Sequence, residues 1–151
     1  MASVRILVTL LGAVLGSLSI YSLALAAPPT NDTFADAIVI SGCPGTIAGS
    51  NSGATEEPGE PNHEGGTASS IWYAWTAPFG GPVSFDTAGS TTDDPRVSEF
   101  VPSVTVYTGA ANPSVDALTP VPTIHGATYH SRPLNVTFNA QAGVTYYLAA
   151  Q

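Results

Sequence analysis

The chain has 151 residues, with 11 acidic and 3 basic side chains, no lysine and a formal net charge of −8. That balance excludes a phosphate-backbone binder, which needs clustered Lys and Arg to release counterions, and so excludes nucleic acid as a partner. It equally excludes electrostatic docking on anionic lipid. One cysteine, Cys43, excludes an intrachain disulfide framework and a cysteine zinc cluster, and the length fits one domain.

Met1 to Arg5 carries one positive charge, and an apolar run follows from Ile6 to Leu25. Ala24-Leu25-Ala26 then places small residues at the −3 and −1 positions of a cleavage site. This order predicts a secretory signal peptide over residues 1–26, cut after Ala26, and a domain over residues 27–151. The other reading is an uncleaved anchor, since the run approaches the ~20 residues that span a bilayer. No later segment is apolar for long enough to span a membrane. Arg5 leaves with the leader, so Arg96 and Arg132 face all 11 carboxylates.

Asn31-Asp32-Thr33 predicts a cap, through Asp32 or Thr33, for a short turn over Phe34 to Ala37. Ile38 to Ile40 reads as a first strand, Gly42 to Gly45 as a turn, and Thr46 to Ser50 as a second strand. Residues 51–69 read as a long solvated loop carrying Glu56, Glu57, Glu60, His63 and Glu64. Ile71 to Thr76 is the clearest strand, with aromatics on both faces. Val83 to Thr87 alternates at period two. Residues 88–100 form a polar loop with Asp93, Asp94, Arg96 and Glu99, and Val101 to Thr108 alternates again. Leu118 to Ile124 contains Pro120 and Pro122 and predicts an edge strand or coil. Leu134 to Phe138 and Val144 to Ala149 complete the set around a turn at Asn139 to Gly143. Seven or eight short strands with turn signals between them predict an all-β antiparallel sandwich or jelly roll, and no internal repeat is present.

Catalytic signatures are missing from the sequence. His63-Glu64-Gly65-Gly66-Thr67 is not H-E-x-x-H, and there is no G-x-S-x-G elbow. His63, His125 and His130 read as surface or turn histidines. Glu56 and Glu57 read as solvated loop acids, because a glycosidase pair needs a fixed separation and one raised pKa. Trp72, Tyr73 and Trp75 raise the alternative of a sugar-stacking platform. Alternation sends Trp72 to one face and Tyr73, with Ile71 and Trp75, to the other, so at least one set is core. Tyr107, Tyr129, Tyr146 and Tyr147 share that ambiguity. Cys43 precedes Pro44 and reads as an idle thiol.

Several segments together resemble a bacterial extracellular module, the pre-peptidase C-terminal domain. They are Asn31 to Ala37, Glu57 to His63, Ile71 to Pro78, Val83 to Ser90, Val106 to Gly109 and Ala142 to Ala149. The resemblance covers nearly all of residues 27–151. It implies a jelly-roll-like sandwich and a non-catalytic role, secreted or at the cell surface, with a glycan, matrix or protein ligand. It also implies calcium at Asn31 and Asp32. Pro28, Pro29 and Thr30 replace the acidic residue that often precedes that pair in relatives, so Glu57, Glu60 or Asp86 would have to complete the shell of 6–8 oxygens. Family members usually continue past the Tyr-Tyr strand with one more strand, whereas this sequence stops at Gln151. That departure predicts an open sheet edge that takes a partner strand, and with it the alternative of a truncated structural repeat. Thr91 to Pro102 also departs from the family pattern.

Overall fold

A computed structural model describes residues 26–63, 69–92, 102–125 and 135–151. The leader predicted over residues 1–26 lies outside these, Ala26 excepted, as do Glu64, Asp93, Asp94, Arg96, Glu99, Tyr129, His130 and Arg132.

The described chain is all-β. Its strands are β1 (Ile38–Ile40), β2 (Ile71–Thr76), β3 (Gly81–Asp86), β4 (Val104–Thr108), β5 (Thr119–Pro120), β6 (Ile124–His125), β7 (Asn135–Ala140) and β8 (Thr145–Ala150). Two single-turn 3-10 helices, Phe34–Asp36 and Val115–Ala117, interrupt them. Five strands form one sheet in the order β1-β2-β8-β4-β5, and three form another in the order β3-β7-β6. All pairings are antiparallel except β1 with β2. No described helix is long and apolar enough to cross a membrane.

Period-two alternation builds the core between the sheets. Ile71, Tyr73 and Trp75 of β2 meet Val104, Val106, Tyr146 and Leu148 from the large sheet. Val83, Val136, Phe138 and Ala140 close against them from the small sheet. Phe85 stacks on Phe138 and stands edge-on to Trp75. The intervening residues Ser84, Thr137 and Asn139 of the small sheet therefore face away from this core.

The large sheet also buries its other face. Trp72, Tyr107 and Ala149 form a second core with Val115 and Leu118, and Phe34, Ala37 and Tyr147 pack against it. Both aromatic faces of β2 are thus internal, and Trp72, Tyr73 and Trp75 offer no stacking platform to solvent in this conformation.

Three sequence expectations are corrected. Thr46 to Ser50 forms no strand. Gly49 runs so close over the Tyr73 hydroxyl that a Cβ there would lie 2.0 Å from it. That close crossing sets the path of the segment in place of a ladder. Thr33, not Asp32, precedes the first 3-10 turn, and its side chain makes no cap bond but donates to Asp36 Oδ2 at 2.8 Å. The 51–63 segment is not a free solvated loop, as described below. The last strand, β8, pairs with β2 on one side and β4 on the other and is not itself an edge. Among the described strands the edges belong to β1, β5, β3 and β6. Pro120 lies in edge strand β5, where a missing N–H is tolerated.

Candidate functional site

Polar side chains concentrate at the outer face of the large sheet. Asn31 docks on the backbone of Trp72, its carbonyl accepting from Trp72 N–H at 2.9 Å and its Nδ2 donating to Trp72 O at 3.0 Å. Asn31 thereby continues the edge next to β1, which pairs with β2 from Tyr73 onward. The Asp32 carboxylate accepts from Thr55 twice, from N–H and from Oγ–H, both at 2.7 Å. Both residues are buried. An N-terminal segment and the 51–63 segment are therefore tied to each other and to the sheet.

The Glu57–His63 stretch folds inward by the same means. Glu57 Oε2 accepts from Phe34 N–H at 2.7 Å. Glu60 Oε2 accepts from Glu57 N–H at 2.9 Å, and Glu60 Oε1 takes hydrogen bonds from Ser70 Oγ–H and from His63 Nε2 at 2.7 Å. His63 Nδ1 meets Tyr107 Oη at 2.7 Å. A neutral imidazole with its proton on Nε2 satisfies this chain: Ser70 and His63 donate to the carboxylate, and Tyr107 donates to Nδ1. The His63 and Glu60 side chains are each only 2 % exposed. His63 is thus a buried histidine, not a surface one, while His125 is exposed.

The chain Ser70–Glu60–His63–Tyr107 contains the residue types of a hydrolase in the wrong connection. The carboxylate lies between serine and histidine, so the imidazole does not reach the hydroxyl it would have to activate. Around it, Trp72 stands edge-on to Phe34 with ring centroids 5.2 Å apart and to His63 at 5.4 Å. Trp72 Nε1 is buried without a hydrogen-bond partner. An unpaired buried donor of this kind costs about 1–3 kcal/mol.

Of the expected calcium ligands, Asn31 is engaged with Trp72 and Asp32 with Thr55, and Glu57 and Glu60 are drawn into their own contacts with Phe34, Ser70 and His63. Asp86 is occupied at the far end of β3, accepting from Ala88 N–H at 2.9 Å. Among the described residues no group of three or more His, Cys, Asp or Glu is placed to hold a metal ion. The described carboxylates alone therefore do not assemble a shell of 6–8 oxygens.

Burial pushes the Tyr73 phenol above its ordinary 10.0, and a hydrogen bond with the Asn31 side chain offsets part of that rise. Cys43 is exposed. The inward fold of Glu57, Glu60 and His63 was not legible in the sequence. Its one signal was Trp72 and Tyr107 both lying on strand faces opposite the inter-sheet core, which left an aromatic face in need of a cover. Comparison with family models, with curated proteins and with solved structures found no match for this chain.

Proposed function

We propose that the chain is an exported, non-catalytic binding or adhesion module, a jelly-roll-like β-sandwich that works outside the cell or on its surface. The leader pattern of residues 1–26 and the ordered resemblance to the pre-peptidase C-terminal domain support export and the ancillary role. The observation that carries the reading is the destination of the reactive-looking groups. Glu60, His63, Ser70 and Tyr107 are engaged with one another beneath the surface, and the aromatics of β2 are packed inside. Recognition of a glycan, matrix or protein ligand then falls to loops and to the outward residues of the small sheet. The test is to purify residues 27–151 and screen an array of polysaccharides and matrix proteins, with a sizing run on the same sample. A monomer that retains a ligand supports the module; turnover of any substrate in the screen would reverse the reading.

A second reading, an interaction unit that takes a strand from a partner, is favoured by β3. It is a full six-residue strand with β7 as its only described neighbour. An edge of that length is a template for pairing with another chain. Dimerisation that Ser84→Pro abolishes would favour this reading over the first.

A further inference from the structure

We propose that the Glu57–His63 segment is an acid-released cover over the aromatic outer face of the large sheet. Three of the hydrogen bonds that hold this segment down converge on one carboxylate, Glu60, while Glu57 accepts from Phe34 N–H and His63 meets Tyr107. Glu60 accepts from Ser70 at the start of β2, from the His63 imidazole and from the Glu57 amide. A carboxylate accepts these bonds well, because charged acceptors make the stronger hydrogen bonds. A protonated carboxyl gives up part of that acceptor capacity and adds a donor to a cluster already made of donors. The cover therefore loosens on the acid side.

The surroundings offer no replacement. On its own segment Glu60 faces Glu57 and His63; from β2 it faces Ser70, and from β4 Tyr107 reaches it through His63. Asp116 of the second 3-10 turn lies against Gly59, and Asp36 sits on the first 3-10 turn, which packs on β2. The described residues contain no Lys or Arg, so among them His63 is the one cationic candidate at this face. Beneath the cover, the Trp72 indole N–H has no hydrogen-bond partner. Water reaches that donor when the segment lifts, which favours the open form. Opening uncovers Trp72 and the aromatic residues around it, Phe34 and Tyr107.

The experiment is amide and indole hydrogen exchange by NMR on residues 27–151. It compares the protein at pH 7 and pH 4, corrected for the pH dependence of chemical exchange, with the Glu60→Gln variant at pH 7. The variant is expected to exchange at least tenfold faster at the Phe34 and Glu57 amides and at the Trp72 indole, the loss of one charge-assisted hydrogen bond. The amides of residues 73–76 and 145–150 are expected to keep their protection. Acid is expected to give the wild-type protein the same footprint at the Glu57 amide and the Trp72 indole, and to add in the variant a response only at the Phe34 amide, whose acceptor is Glu57. Unchanged exchange at those reporters, or loosening of every strand together, overturns the proposal. Ser70→Ala, which keeps the carboxylate and removes one donor, is the second variant. It is expected to show a smaller loosening of the same reporters at pH 7, and wild-type exchange in it counts against the cover.

Discussion

Tyr73 reaches across the inner face of β2 to a hydroxyl over which Gly49 passes. A Cβ at position 49 would lie 2.0 Å from that oxygen and 2.9 Å from Ile71 Cδ1. Gly49→Ala is therefore expected to lower stability by about 1–3 kcal/mol, the usual range for overpacking. Tyr73→Phe deletes the nearest obstacle, so the double variant should recover part of that loss. Additive losses in chemical denaturation would disprove the contact. The same phenol sets an alkaline limit. Its pKa is raised in the folded state by burial, so on unfolding above its ordinary value of 10.0 the phenol releases a proton that the folded state retains. Stability from this group is present below pH 10 and declines as pH rises through the folded value. A denaturant midpoint that falls between pH 9 and 11, and falls less in Tyr73→Phe, is the expected result.

At the scale of elements, the Asp32–Thr55 pair joins the N-terminal segment to the 51–63 segment through two bonds of 2.7 Å. Asp32→Ala leaves two Thr55 donors unmatched and is expected to destabilise by about 1–3 kcal/mol, measured by urea titration. A loss of a few tenths would mean that water replaces the carboxylate. The strands themselves were largely legible. The segments expected to alternate, Ile71 to Thr76, Val83 to Thr87, Val101 to Thr108, Leu134 to Phe138 and Val144 to Ala149, each contain a strand, although β3 begins earlier at Gly81 and β7 runs on through Asn139 and Ala140, where a turn was expected. Leu118 to Ile124, expected as an edge strand or coil, is both: Pro120 lies in edge strand β5, Pro122 in coil, and Ile124 opens edge strand β6 of the other sheet. The Glu57–His63 segment was illegible for a physical reason. Prolines, glycines and acids are the composition of a solvated loop, and only tertiary hydrogen bonds from Phe34, Ser70 and Tyr107 draw it inward. Asn31 and Asp32, expected as a calcium pair, serve in this fold as docking groups for Trp72 and Thr55.

At the scale of the whole molecule, the described acids do not gather into one centre. A site filled at about 100 times its dissociation constant adds roughly 2.7 kcal/mol and shifts the melting midpoint of a domain this size by several degrees. Since the described carboxylates do not converge on a shared centre, the midpoints in EDTA and in excess calcium are expected to coincide within about one degree. A calcium-dependent rise removed by Asp32→Asn would refute that expectation and restore a metal role to the Asn31–Asp32 corner. Sequence spacing could not decide this point, because ligand convergence depends on where loops land, and it is the loop carboxylates that depart from expectation.

The position of β8 has a consequence for how the protein comes to exist. This strand joins β2 to β4, yet it follows both in the chain, with more than 60 residues between the end of β2 and its start. During synthesis, β2 and β4 emerge without the strand that lies between them, and no local hairpin can substitute for it. The large sheet closes only after residues 145–150 have arrived, through loop closures of the kind that make non-local β pairing slow. Until then the β1–β2 and β4–β5 pairs are two separate ribbons with nothing to join them.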